Sequence, residues 1–141
     1  MPKQPKFRSD PVPTKIPRFR SPGFAGGHLA WRFGRADRGG PWPWSAVDRA
    51  TLPEVIAKLG SFETMPEHEL RSGGSHPVEL STLSRAAIGR LQELQQDDLD
   101  FLFSFRLSGA NRVWCIQDAS VMHVLWWDPR HEVCPSLLRN T

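Results

Sequence analysis

The chain has 141 residues, a length that suits one modest domain and not two. It has no N-terminal apolar segment of the secretory type and no run of 18 apolar residues, so we expect a soluble, cytoplasmic protein without a transmembrane helix. Cys115 and Cys134 lack C-x-x-C spacing, and the five histidines lack the spacing of metal ligands. We therefore expect free thiols, no metal and no cofactor.

The net charge of +3 is unevenly distributed. Residues 1–44 carry nine Lys and Arg against two Asp, whereas residues 45–141 carry nine Lys and Arg against thirteen Asp and Glu. Because proline disfavours regular structure, we predict a basic arm over 1–44, largely extended or disordered, and a folded domain over 45–141. The arm either solubilises the domain or contacts nucleic acid or an acidic protein surface. Its last aromatic residues are predicted to pack on the domain: Trp31, Phe33, Trp42 and Trp44.

Two helices are predicted in the first half of the domain. Residues 51–54, Thr-Leu-Pro-Glu, have the form of a capping box and are followed by apolar residues at helical spacing, which predicts a helix over 52–59 that ends at Gly60. Residues 61–80 include Gly-Gly-Ser-His-Pro and are predicted to form a long connection. Ser84 is the predicted cap of a second helix, which ends near Gln95.

The last third of the chain alternates apolar and polar residues in the manner of β-strands. Runs that begin at Phe101, Arg112 and Val121 are separated by short turns, and residues 131–134 are a candidate for a short fourth strand. Short turns between successive strands predict an antiparallel meander. The predicted fold class is therefore α+β, with two helices on one face of a C-terminal antiparallel sheet of three to four strands.

This order of elements and two sequence stretches resemble the RelE/ParE toxin superfamily. The stretches are LFSFRLSGANRVW (residues 102–114) and LWWDPRHEVCP (residues 125–135), and the resemblance covers about residues 45–138. It implies a toxin of a type II toxin–antitoxin system, and for the ribonucleases of the superfamily a site that neutralises phosphate and moves a proton from a 2′-hydroxyl.

Five residues have side chains suited to that ribonuclease chemistry: Arg106, Arg112, His123, Arg130 and His131. Arg106 and Arg112 are predicted to meet across the first hairpin, and with His131 they form the candidate catalytic set. The alternative for the two arginines is a solvated sheet edge or an ion pair with Asp118, and for His123 an ordinary sheet histidine. The chain has no tyrosine and its domain is net acidic, which departs from the basic face usual in such nucleases.

Residues 96–101, Gln-Asp-Asp-Leu-Asp-Phe, suggest a different function. Their Q-x-x-L-x-F form resembles the peptide with which bacterial proteins bind the replicative sliding clamp. Leu99 and Phe101 would be the apolar anchors, and the Gln96 amide would bond at the pocket rim. The alternative is that Leu99 and Phe101 are ordinary core residues at a helix–strand junction.

The clamp-binding hypothesis is the one that the sequence favours. It makes the chain a toxin that binds the sliding clamp, the beta subunit of DNA polymerase III, blocks replication elongation and needs no catalytic residue. In size, basic N-terminus and clamp motif the chain is also similar to a known toxin that blocks the sliding clamp, and that resemblance implies two further partners: an antitoxin that acts as a proteolytic adaptor and the ClpXP protease. The ribosome-dependent endoribonuclease is the alternative.

Overall fold

The protein has an α+β fold. A computed structural model describes Phe24 and residues 28–135, so the predictions made for residues 1–23, 25–27 and 136–141 lie outside the described residues. In chain order the strands and helices are β1 (Ala30–Arg32), α1 (Thr51–Phe62), α2 (Glu67–Ser72), β2 (His76–Glu79), α3 (Arg85–Glu93), β3 (Phe101–Arg106), β4 (Arg112–Asp118) and β5 (Val121–Asp128). Short 3-10 helices cover Trp44–Ala46 and Leu80–Thr82.

The strands form one mixed five-stranded sheet in the order β1-β5-β4-β3-β2. The predicted antiparallel meander is present as β3, β4 and β5, and β2 extends it beside β3. At the opposite edge β1 pairs with β5 in parallel, with Ala30 opposite Val121. The sheet thus has two strands more than the meander. The candidate fourth strand at 131–134 is wrong, because those residues are irregular.

The two predicted helices are present, and a third was missed. Ser84 caps α3 as predicted, since its hydroxyl accepts a hydrogen bond from the Ala87 N–H at 3.1 Å. The capping box at 51–54 is not formed, because Thr51 is the first residue of α1 and its N–H donates to the Asp48 carboxylate at 2.7 Å. Residues 61–80 are not a simple connection but contain the end of α1, all of α2 and all of β2.

Apolar layers cover both faces of the sheet, so the prediction that the helices share one face is wrong. Helices α1 and α2 pack on the first face, against Phe103 and Phe105. Helix α3 packs on the second face, against Leu102 and Trp114. Because both faces are covered, residues 102–105 of β3 are all buried, including the polar Ser104.

Packed structure begins upstream of the domain boundary predicted at residue 45. Strand β1 belongs to the sheet, and Trp42 is buried in the second face's layer against Trp126, with ring centroids 5.0 Å apart. The predicted packing of Trp31, Trp42 and Trp44 is confirmed, but Phe33 is 57% exposed. No helix among the described residues is long and apolar enough to cross a membrane.

Candidate functional site

An open groove of about 390 Å³ lies on the second face of the sheet, beside the part that α3 covers. Its lining comes from β2, β3, β4 and the segment after β5. The lining residues are Gly74, His76, Val78, Ser104, Arg106, Arg112, Trp114, His131, Cys134 and Pro135. Four of them are cations or imidazoles, namely His76, Arg106, Arg112 and His131, and we call this site the basic groove.

Arg106 and Arg112 face each other across the β3–β4 hairpin, as predicted, because they are register partners. The Arg112 Nη1 donates to the backbone oxygens of Gly109 and Asn111, at 2.8 and 3.1 Å. Burial, and then the neighbouring Arg106 charge, lower the pKa of Arg112. Within residues 28–135 neither guanidinium forms a salt bridge, so the alternative of a pair with Asp118 is wrong. The Asp128 carboxylate, on the register partner of Arg112, opposes the lowering of the Arg112 pKa without forming a salt bridge. Two adjacent cations without a salt bridge are suited to bind an anion.

Gly74 and Ser75 hold the start of the Arg106 side chain. Gly74 has a φ of +98°, and a Cβ at this position would lie 2.8 Å from the Arg106 Cδ. Only glycine combines that backbone angle with so close an approach. The buried Ser75 hydroxyl accepts a hydrogen bond from the Arg106 N–H at 2.9 Å. The turn between α2 and β2 therefore positions the arginine.

Asp128 holds the turn that carries His131. Its Oδ1 accepts from the Glu132 N–H at 2.8 Å, and its Oδ2 accepts from the Val133 N–H at 3.0 Å and the Trp114 indole N–H at 3.1 Å. The carboxylate is fully buried, and these three bonds satisfy it. They fold the chain back over β4, and His131 takes a left-handed conformation, with φ +57°, at the groove.

The environment of His131 favours its neutral form. Burial, and then the positive charge of Arg112, lower the pKa of His131, with smaller contributions from Arg106 and His76; Asp128 opposes the shift. An imidazole that is neutral near pH 7 can accept a proton. The second imidazole, His76, is exposed, and its Nδ1 lies 3.0 Å from the Pro77 backbone oxygen.

The other predicted ribonuclease residues lie outside the basic groove. His123 is the register partner of Arg32 at the β1 side of the sheet, where burial and then Arg35 lower its pKa. Arg130 is exposed on the turn before His131 and does not line the groove. Asp118 ends β4 at the far end from Arg112. The candidate catalytic set thus remains together, while His123 and Arg130 are separate from it.

Residues 96–101 form a compact junction between α3 and β3. The Gln96 N–H donates to the Leu91 backbone oxygen at 2.8 Å, after Gln95 in a left-handed conformation. Leu99 packs partly against the second face's layer, and Phe101 is the first residue of β3, opposite Glu79. Gln96, Leu99 and Phe101 are each half-buried, so the core alternative holds in part for the two apolar residues.

Four residues of the site were missed by the sequence analysis: Gly74, Ser75, His76 and Asp128. The Gly-Gly pair before an alternating stretch was the available signal for the first three, because glycine pairs mark close backbone approaches as well as loops. For Asp128 the available signal was the Asp-Pro pair at the end of a strand. An aspartate at such a position often accepts hydrogen bonds from the backbone N–H groups that follow it.

The two cysteines lie in different environments, Cys115 in the core and Cys134 at the basic groove. Both cysteines are free, as predicted, and burial raises the pKa of Cys115. No group of three or more His, Cys, Asp or Glu side chains suited to a metal occurs in the described part of the chain. Comparison of the chain with protein-family models, curated proteins and solved structures gave no match.

Proposed function

We propose that the protein is a toxin that cleaves RNA in the basic groove, in the manner of the ribonucleases of the RelE/ParE superfamily. The observation that carries this proposal is the Arg106–Arg112 pair, which lacks a salt bridge and opens beside His131, whose pKa is lowered. Phosphate binding needs the two cations, and activation of a hydroxyl needs a neutral base. The groove supplies both.

In the proposed reaction His131 acts first. Its neutral imidazole accepts the proton of an RNA 2′-hydroxyl, and the 2′-oxygen forms a bond to the adjacent phosphorus. The guanidiniums of Arg106 and Arg112 stabilise the negative charge that grows on the phosphoryl oxygens.

The second half of the reaction releases the leaving group. The bond from phosphorus to the 5′-oxygen breaks, and that oxygen takes a proton from solvent water at the open groove. The products are a 2′,3′-cyclic phosphate and a 5′-hydroxyl. The hydroxide left by that water takes the proton that His131 gained, so the neutral imidazole is restored and neither a metal nor an oxidant is consumed.

The test is cleavage of an mRNA by the purified protein, with and without ribosomes, mapped by primer extension. We expect His131→Gln to lower the cleavage rate about a hundredfold or more, because a positioned base contributes about 10²–10⁴. Arg106→Ala and Arg112→Ala are expected to lower it as well. His123→Gln is the matched histidine control, since it lies on the same sheet outside the groove. Undiminished cleavage by the His131 and arginine variants would contradict the proposal.

Clamp binding is the second candidate, and one observation favours it. Gln96, Leu99 and Phe101 all keep some exposed surface, and the acidic residues between them, Asp97, Asp98 and Asp100, are exposed. In this proposal the chain resembles SocB, a toxin that blocks the sliding clamp and is delivered to ClpXP by its antitoxin SocA. Binding to the clamp would require Leu99 to leave its apolar neighbours. For that reason we place RNA cleavage in the basic groove before clamp binding.

The clamp proposal has its own test. A titration of the chain against the bacterial sliding clamp should give binding that Gln96→Ala/Phe101→Ala abolishes while circular dichroism stays unchanged. Arg106→Ala serves as the control, because it changes the groove and leaves residues 96–101 intact. If the wild-type chain does not bind the clamp, residues 96–101 are only the junction between α3 and β3, and the clamp proposal is rejected.

A further inference from the structure

A second open groove, of about 540 Å³, adjoins the basic groove. Arg106 lines both grooves, so this one side chain stands at their boundary. The remaining lining of the second groove comes from α1, α2, the segments that follow these two helices, and the β3–β4 turn. They include Lys58, Phe62, Met65, Glu69 and Leu107. We call this site the flanking groove.

The flanking groove combines an apolar floor with two cations. Met65 and Leu107 are partly buried and pack on the first face's layer, so they contribute to the floor. The Lys58 ammonium lies 5.9 Å from the centre of the Phe62 ring, which places one positive charge at the α1 side. Arg106 is the other charge. A nucleotide strand offers the complementary chemistry, because its anionic phosphates suit the cations and its base faces suit the apolar residues.

We propose that the flanking groove binds the nucleotide next to the cleaved bond, so that the substrate is a single RNA strand that passes over Arg106. This inference rests on the proposed function of the basic groove. Arg106 would contact the phosphate shared by the two grooves, and Lys58 would contact the following phosphate. The base between them would lie on Met65 and Leu107, and the Glu69 carboxylate at the lining can accept a hydrogen bond from an amino group of that base.

The experiment measures binding of fluorescent 2′-O-methyl dinucleotides and hexanucleotides by anisotropy, since these RNAs lack the 2′-hydroxyl and cannot be cleaved. Wild type is compared with Lys58→Ala, Arg106→Ala and the control Arg49→Ala. Lys58 is exposed on α1, where alanine is a good helix residue, and Arg49 is an exposed cation that lines neither groove.

We expect Lys58→Ala to weaken hexanucleotide binding several-fold and to leave dinucleotide binding unchanged. In a salt titration, the plot of log affinity against log salt concentration should be less steep for Lys58→Ala than for wild type. The slopes should differ by about 0.7, the value for one phosphate contact on a single strand. Arg106→Ala should weaken both RNAs, and Arg49→Ala neither.

Two results would overturn the inference, and they differ in what they say of the proposed function. If Lys58→Ala affects neither RNA, or both equally, the flanking groove is not on the path of the strand, while Arg106-dependent dinucleotide binding still supports the basic groove. If wild type binds neither RNA, the proposed function fails together with the inference.

Discussion

Two arginines of this protein each lie beside a glycine pair of their own. They differ in whether the guanidinium binds a carboxylate. Arg90 on α3 lies against Gly39 and Gly40, where a Cβ at the second glycine would contact the Arg90 Nε. Arg106 lies against Gly74 in a similar way. In both sites glycine makes room for an arginine, and so the glycine pair alone does not decide the role of the site.

The partner of the guanidinium makes the difference. Arg90 donates from Nε and Nη2 to the buried Asp37 carboxylate, at 2.9 and 2.7 Å. Asp37 also accepts from the Trp126 indole at 2.9 Å. Burial alone would raise the pKa of Asp37, but the hydrogen bonds from Arg90, Trp126 and the Gly39 N–H outweigh it and lower that pKa. Among the residues that the structure describes, no carboxylate forms a salt bridge with Arg106, so its charge is suited to bind a ligand.

The largest expected effect is on stability when Asp37 is replaced. Asp37→Ala leaves the Arg90 guanidinium and the Trp126 indole without their acceptor, and loss of one partner of a buried ion pair costs about 3–5 kcal/mol. Arg106→Ala should change the free energy of unfolding by about 0.5 kcal/mol or less, as at other exposed sites. Urea unfolding of both variants checks the contrast, which equal losses would refute.

A smaller effect is expected from Asp128→Asn. One of its oxygens becomes an amide that faces a backbone N–H, and an unsatisfied buried donor costs about 1–3 kcal/mol. The turn that carries His131 should loosen, so that the cleavage rate falls more than RNA affinity does. Single-turnover kinetics beside anisotropy titrations separate the two quantities. A loss confined to affinity would show that Asp128 does not position His131.

The two glycines allow a more direct comparison of the arginine sites. Gly40 and Gly74 both have a positive φ, of +71° and +98°, so alanine at either position costs about 1–3 kcal/mol in backbone strain. Only Gly74→Ala should also displace Arg106 and weaken RNA binding. Thermal unfolding and anisotropy of both variants test this. Equal weakening of RNA binding by Gly40→Ala would mean that the effect is general destabilisation.

The smallest expected effect is the pH dependence of stability, which should have two separate windows. The lowered pKa of His131 means that the unfolded chain binds more protons, so stability is present above about pH 6.5 and is lost as the pH falls through the folded pKa. The Asp37 contribution is present above its usual pKa of 3.8 and is lost only below that value. Melting temperatures measured from pH 3 to pH 8 test the assignment. His131→Gln should reduce the loss of stability that begins as the pH falls below about 6.5, and it should leave the loss below pH 3.8 unchanged.

Local signals predicted the elements that depend on neighbours in sequence. The Ser84 cap, the β3–β4 hairpin and the meeting of Arg106 with Arg112 follow from a hydroxyl before a helix and a short turn between strands. The missed strands depend on distant partners. β1 has only three residues, and its partner β5 lies at the other end of the sequence. β2 contains Pro77, which an edge strand tolerates but which in a sequence indicates a loop.

The site was predictable in its charges but not in its environment. The candidate set of Arg106, Arg112 and His131 came from residue type and position. The lowered pKa of His131 depends on its partial burial within the turn that carries it. That turn depends on Asp128, whose bond to Trp114 joins residues 14 apart. Such a contact needs the folded sheet, so no sequence pattern encodes it.

The Asp37–Trp126 hydrogen bond has a consequence for synthesis of the chain on the ribosome. It joins residues 89 apart, and β1 likewise needs β5 as its partner. The segment from Leu29 to Trp42, with its buried aromatic and charged groups, therefore has no docking surface until the final strand has left the exit tunnel. During translation this segment stays unpacked until β5 is available, and we expect it to be accessible to chaperones and proteases for that time.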